Sequence, residues 1–412
     1  MLLQGPIGPF FRHVAKQLTH AGAVVHKVNF NGGDWLFYPT GSMCYTGRME
    51  DLEAFLDEVY ERLCIDVVML FGDCRPIHRV AHALASRRGL EIGVFEEGYV
   101  RPNYITFERF GVNGYSRLPR DPAFYAALDD SEPIKSPKIA NPIWHAALWG
   151  ILYYLASVAA RPIFRHYRHH RPLRLREAFP WVRSFFRKFW YRYRERGMLE
   201  LLTGPMAKKY YLVPLQVSID AQVHVHSPFG SVETFLRTVV ESFALHAPKE
   251  RSLVIKHHPL DRGHHDYGGF LKSLADEYGV RDRLLYIHDQ HLPTLINHSC
   301  GVVVLNSTVG LQALHHNAAV KACGKAVYDM PGLTFQGALD SFWRAADDFK
   351  PDRKLFVRFR NYLISTTQIH GSFYRPSTAW WSLDRPAATR ESPGTPLPLD
   401  AQVDFAEKRA SA

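Results

Sequence analysis

Short apolar runs alternate along this 412-residue chain with stretches whose apolar residues fall three and four positions apart. The first pattern marks buried strands and the second marks one-sided helices. In the first third the pattern predicts strands over Met1–Gln4, Ala23–Asn29, Asp66–Phe71 and Glu91–Phe95, with helices over Phe10–Ala21, Met49–Leu63 and Pro76–Arg88. It resumes near Lys208. Strands are predicted over Tyr210–Pro214, Ser252–Lys256, Leu284–Ile287, Gly301–Leu305 and Ala319–Lys321, and helices over Val232–Ala247, Gly268–Tyr278, Leu292–His298 and Thr308–His315. Strand and helix in strict alternation imply parallel sheets with helices on both faces, so the fold class is α/β. Residues 338–380 read as helical, and the Pro-, Ala-, Ser- and Thr-rich residues 385–412 read as a mobile tail.

Ligands of such sheets bind beyond the carboxyl ends of the strands. The loops there are Gly5–Pro9, Gly72–Pro76 and Glu96–Pro102 in the first half, and Gln216–Gln222, His257–Asp261 and Asn306–Gly310 in the second. Two Rossmann-like halves facing a cleft are expected. The expected organisation is a domain over 1–140, a segment over 141–205, a second domain over 206–345, helices packing back over 346–384, and the tail.

The segment between the halves breaks the pattern. Ile143–Ala160 is almost wholly apolar, and as a helix it would be about 27 Å long, near the lower limit for a membrane span. Basic and aromatic residues follow. The chain holds 50 Lys and Arg against 40 Asp and Glu, an excess of 10. Residues 161–196 alone hold twelve basic and two acidic residues, so the remainder is neutral and a general nucleic-acid coat is not expected. Three readings stand: a membrane-surface element, a packed core or partner-binding helix, and a span. A single span would separate the two halves across the membrane, which disfavours it. In the membrane-surface reading Arg183, Arg187, Lys188, Arg192 and Arg194 meet anionic lipid while the aromatics sit at headgroup level. Five cysteines without a CxxC pair fit a reducing compartment better than a disulfide or zinc framework. MLLQGPIGPFF carries no basic n-region and no long apolar stretch, so no secretory signal is expected.

Several loop residues have chemistry to offer. Glu96 and Glu97 end a strand, and adjacent residues on an extended chain point opposite ways. One could face the cleft while the other pairs with Arg101 or caps a helix; both could equally be solvated. Asp220 is a lone acid among Gln216, Ser218 and Gln222, competent as a nucleophile at a glycosidic carbon or, equally, as a turn or helix-capping aspartate. His258 precedes Pro259, which holds it extended, and with Lys256 it suits a phosphate. Asn306, Ser307 and Thr308 open a helix, where hydroxyls and free N–H groups bind anions or simply cap. Adjacent His pairs lack the spacing of a helical metal site, and no GxGxxG or Walker lysine is present, so neither metal nor cofactor is expected.

Six segments in order carry a resemblance: LQGPIGPFF (3–11), FGDCRPIH (71–78), FEEGYVRPNYIT (95–106), VPLQVSIDAQV (213–223), IKHHP (255–259) and LNSTVGLQAL (305–314). Together they resemble the capsule polysaccharide biosynthesis proteins of KpsS/LipB type. The resemblance implies a GT-B-like fold and a retaining β-Kdo transferase that moves the first Kdo from CMP-Kdo to a (lyso)phosphatidylglycerol acceptor. The enzyme would sit on the cytoplasmic face of the inner membrane, with other capsule proteins as possible partners. Asp220 matches the aspartate of a Q-x-x-x-D motif proposed as nucleophile, beside Gln216. His258 and Pro259 match an HP motif that contacts the cytidylate. Ser307 and Thr308 match phosphate-side hydroxyls, and Glu96 and Glu97 match an E-[DE]-G motif whose second acid is usually Asp in related enzymes. The first half would then be the acceptor side, with Gly5, Gly8 and Arg101 near the acceptor, and the second half the donor side. A GT-B transferase with another nucleotide sugar, or a non-catalytic export scaffold, are the alternatives.

Overall fold

The computed structural model describes residues 1–139, 143–168 and 178–375. The expected tail over 385–412 lies outside them, as does part of the basic segment. The strands, in chain order, are β1 (Val28–Asn29), β2 (Met43–Cys44), β3 (Val67–Phe71), β4 (Glu91–Glu97), β5 (Tyr104–Arg109), β6 (Tyr210–Pro214), β7 (Ser252–Lys256), β8 (Leu284–Ile287), β9 (Gly301–Val304), β10 (Ala319–Ala322) and β11 (Gln368–His370). The chain divides into two compact units. One comprises residues 1–117, 134–175 and those from 363 onward; the other comprises 118–133 and 176–362. Both are α/β, the class read from the apolar pattern.

In the second unit the sheet order is β10-β9-β6-β7-β8, and every pairing is parallel. β6 lies at the centre and is buried along its whole length, which is why YYLVP reads as an unbroken apolar run. The helix Val232–His246 packs on it through Val232, Phe235, Leu236, Val239, Val240 and Phe243. Each of these side chains contributes about 1.5–3 kcal/mol of burial. Ser231 starts the helix by accepting the Thr234 N–H at 3.1 Å.

The first unit departs from the expected all-parallel sheet. β3 and β4 are parallel, and Leu2 bridges to both Lys27 and Met69 in parallel sense. β4, however, runs on through Glu96 and Glu97, turns at Gly98–Asn103, and returns antiparallel as β5, with β11 antiparallel beyond it. The apolar run ending at Phe95 hid the continuation, because two carboxylates close a strand whose backbone is still paired. The predicted strand over Ala23–Asn29 shrinks to β1, since Val24 is 81% exposed and has no core to enter. The expected helical region after residue 338 consists of helices Leu339–Ala345 and Arg353–Thr367, then β11.

Nor does the 141–205 segment form a body of its own. The helix Ile143–Ala159 belongs to the first unit and the helix Ala178–Arg194 to the second. Among the described residues no helix is long and apolar enough to cross a membrane. One side of Ile143–Ala159 is structural. Tyr153 Oη accepts from Gln4 Nε2 at 3.2 Å and Asn31 Nδ2 at 2.8 Å, and Ser157 Oγ accepts the Gly33 N–H at 3.1 Å. Gly33 has to be glycine: a Cβ there would collide with the Tyr153 ring. The other side leaves Trp144, Leu148, Ile151 and Leu155 at least half exposed. The five cysteines are free thiols.

Candidate active site

The order β8-β7-β6-β9-β10 is that of a doubly wound sheet, whose switch point falls between β6 and β9, where successive connections leave in opposite directions. The loops after these two strands carry Gln216–Asp220 and Asn306–Thr308. The polar atoms there are incompletely satisfied. Asn306 Nδ2 donates to the carbonyls of Gln222 at 2.9 Å and His226 at 3.2 Å, which fixes the amide's orientation. Its Oδ1, and Oε1 of Gln216, are buried with no hydrogen-bond partner among the described residues. A buried orphan acceptor is costly and is normally met by water or ligand.

Asp220 is half-buried at the end of the β6 loop. Its Oδ1 accepts the Gln222 N–H at 2.9 Å at the start of the short helix Ala221–His224, so the capping reading is realised. Capping uses a lone pair and leaves the carboxylate able to do chemistry. Ser307 Oγ accepts the Val309 N–H at 3.2 Å from one residue before the N-cap Thr308, whose own side chain makes no capping bond, and the Ser307 carbonyl receives the Tyr328 hydroxyl. Thr308 is half-buried at the start of the helix Val309–His315.

The β7 loop separates its histidines. His257 is buried, bonded through Nδ1 to the Tyr286 hydroxyl at 2.7 Å, and desolvation pushes its pKa down to about 4. His258 is half-buried, and its Nδ1 accepts the Leu260 N–H at 3.2 Å. Lys256 was expected to reach a phosphate. Instead it is buried, and its ammonium donates to the His288 carbonyl at 2.9 Å. Burial lowers its pKa, opposed by Asp289 and Glu195. Lys256 thus holds the neighbouring β8 loop.

Sequence reasoning missed what grips these loops. Arg183 donates to the Gly263 carbonyl, at 2.7 Å through Nε, and Arg187 to that of Arg262 at 2.9 Å. Arg262 answers with a bond to the Ser184 carbonyl at 3.2 Å and an ion pair to Asp289. Gly263 admits this approach because a Cβ would strike the Pro180 carbonyl oxygen. Glu195 accepts from the His288 N–H at 3.0 Å and meets its Nδ1 at 2.7 Å, while Tyr191 stacks on the His288 ring with centroids 3.5 Å apart. The helix Ala178–Arg194 is therefore inverted, with a polar side bound to its own unit. Trp181, Phe185, Phe186, Phe189, Trp190 and Tyr193 are 48–66% exposed, with Lys188, Arg192 and Arg194 among them. Arg183 and Arg187, expected at a lipid surface, are instead fold contacts. The i, i+4, i+8, i+12 series Arg183, Arg187, Tyr191, Glu195 was the available sequence signal.

In the first unit the loops after Gln4, β3 and β4 were expected to work together. Glu96 lies beside Gly72, where a Cβ would come within 3.3 Å of its Oε2, and its Oε1 accepts the Glu97 N–H at 2.9 Å. Glu97 is half-buried. Arg101 pairs with neither acid; its Nε donates to the Gly98 carbonyl at 3.2 Å, since the strand turns between them. Gly8 lies against Trp149, and the Gly5 N–H faces Asp34 Oδ1 at 3.4 Å. Asp34 and Lys27 form a buried ion pair at 3.1 Å that sequence reasoning did not single out. Asp73, also missed, is buried, accepts the Val112 N–H at 2.8 Å, and is pushed up to about 6 by burial.

Known proteins place the chain. Residues 66–374 match the family model described as "Capsule polysaccharide biosynthesis protein". The "Capsule polysaccharide export protein KpsS" of Escherichia coli is 43% identical over 91% of this chain and 96% of its own. The "Capsule polysaccharide modification protein LipB" of Neisseria meningitidis serogroup A is 38% identical over 91% of each. Among solved structures, "Thermosulfurimonas dismutans KpsC, beta Kdo 2,7 transferase" aligns over 82% of this chain and 90% of its own, at 17% identity and a TM-score of 0.39. The chain belongs to the capsule polysaccharide biosynthesis protein family.

Proposed function

We propose that this protein is a retaining β-Kdo transferase, moving Kdo from CMP-Kdo to a (lyso)phosphatidylglycerol acceptor and so starting the poly-Kdo linker of a capsular polysaccharide. One observation carries the reading. A half-buried carboxylate, Asp220, ends the loop of the central strand at a doubly wound switch point, where the Asn306 amide oxygen is fixed and has no partner among the described residues. An acid placed so suits attack on an anomeric carbon, and orphan acceptors suit the hydroxyl and amino groups of a nucleotide sugar. The two α/β units are consistent with a GT-B-like architecture.

The chemistry runs in two displacements. An Asp220 oxygen attacks the anomeric carbon, and CMP departs with the bonding electron pair. The acceptor hydroxyl then attacks the same carbon, gives its proton to a general base and releases Asp220, so that two inversions restore the β configuration. His258, Ser307 and Thr308 take the departing phosphate, while Lys256 holds the β8 loop through the His288 carbonyl. The test is incubation with CMP-Kdo and a fluorescent lysophosphatidylglycerol. A mass gain of one Kdo is expected. No gain, or transfer from a uridine or guanosine diphosphate sugar instead, would overturn the reading.

The outward aromatic side of Ala178–Arg194 supports peripheral binding at the inner face of the inner membrane, because aromatics at headgroup level and interleaved cations together fit anionic lipid. Changing Lys188, Arg192 and Arg194 to Gln should weaken binding to phosphatidylglycerol vesicles by about 1 kcal/mol per residue at low salt. Transfer to a short-chain soluble acceptor should persist. Equal loss on both acceptors in a sedimentation-and-activity comparison would remove the membrane role. Arg183 and Arg187 stay out of that set, since their loss would disturb the β7 loop.

A further inference from the structure

We infer that Asp261 is a positioning residue for the reaction proposed above, on which this inference rests: from the loop that carries His258 and Pro259, its carboxylate fixes the loop that carries Asp220. Asp261 is 1% exposed. Its Oδ2 accepts the Ser218 N–H at 3.2 Å, and its Oδ1 lies 3.4 Å from Ser218 Oγ and 3.1 Å from His265 Nδ1. Its own backbone is tied down as well. The Asp261 N–H donates to the His258 carbonyl at 3.0 Å, and its carbonyl accepts from the N–H groups of His264 at 2.8 Å and His265 at 3.0 Å. Two residues beyond Ser218, the Asp220 N–H donates to the Val217 carbonyl at 2.9 Å, and the Ser218 carbonyl meets His224 Nε2 at 2.8 Å.

The three side chains look like a hydrolase relay and are not one. A Ser-His-Asp relay uses the two ring nitrogens for its two partners. Here Ser218 Oγ, at 2.8 Å, and Asp261 both meet Nδ1 of His265. The cluster is therefore a brace rather than a proton path. Burial alone would push the Asp261 carboxyl up, but the bonds from His265 and Ser218 outweigh it and hold it below the usual range. A buried anion with three partners is a rigid anchor, and a nucleophile must be held to a fraction of an ångström for in-line attack.

The test uses the full chain carrying Asp261→Asn, with kcat and KM for CMP-Kdo, CMP affinity and Tm measured together. The expected result is a kcat lower by at least about tenfold, with KM and CMP affinity within about twofold of the parent. In the Asp220→Asn background the same change should add little, because residues that act as a unit are not additive. An unchanged kcat, parallel losses in kcat and CMP affinity, or full additivity with Asp220→Asn would overturn the role. If Asp261→Asn fails to fold, Ser218→Ala and His265→Gln are read by the same criteria. Should the parent itself not use CMP-Kdo, the function reading fails on its own, and hydrogen exchange decides the brace without substrate. Faster exchange of the 217–220 amides in Asp261→Asn is expected, and unchanged protection would overturn it.

Discussion

Asp220→Asn is expected to cut Kdo transfer at least about a hundredfold while the fold and CMP affinity survive. The size follows from removing the nucleophile of the proposed covalent mechanism, since a neutral amide oxygen is a far poorer attacking group than a carboxylate. Survival of the fold follows from the geometry. One structural duty of Asp220 is to accept the Gln222 N–H, and Asn caps helix starts about as well as Asp does. Catalysis and capping are thereby separated in one substitution. Turnover near that of the parent, measured by mass gain on the lipid acceptor, would remove Asp220 from the nucleophile's place and leave only the cap.

A large loss of stability is expected from Lys27→Met. Lys27 and Asp34 are 1% and 6% exposed, and Lys27 Nζ donates to the Val28 carbonyl at 2.7 Å as well as to Asp34. Desolvation lowers the Lys27 pKa, and Asp34 works against that shift. Removing the cation strands a buried carboxylate that still accepts the N–H groups of Phe30 and Gly5. Breaking a buried pair in this way costs about 3–5 kcal/mol. Urea unfolding should show that shift. The double change Lys27→Met with Asp34→Leu should recover part of it, because no charge is then left unpaired. A single-variant loss under about 1 kcal/mol would mean that water reaches the pair.

The apolar pattern alone located the second unit's strands almost residue by residue. β6, β7 and β8 begin and end where the runs do, because buried parallel strands need apolar residues on both faces and polar loops at both ends. The candidate-site loops were legible for the same reason: where a run stops, the chain leaves the sheet. Legibility failed where a residue's duty depends on a partner far along the chain. Lys256 reads as a phosphate ligand until the β8 loop takes its ammonium. Arg183 and Arg187 read as lipid contacts until the carbonyls of Gly263 and Arg262 claim them.

By itself, then, the sequence determined the α/β class, the order of strands and helices, the family, and the loops in which Asp220, His258 and Ser307 sit, because local periodicity and short motifs encode all of these. Only the tertiary structure decided that β4 continues through Glu97 into an antiparallel return, that Arg101 turns away from both acids, and that the basic helix faces its own unit with its polar side. It alone put the Asp261 carboxylate beneath the Ser218 N–H. A charged group cast into the interior takes whichever partner brings a complementary atom to hydrogen-bonding distance. For Arg183, Glu195 and Asp261 that partner lies 80, 93 and 43 residues away, beyond the reach of any local pattern.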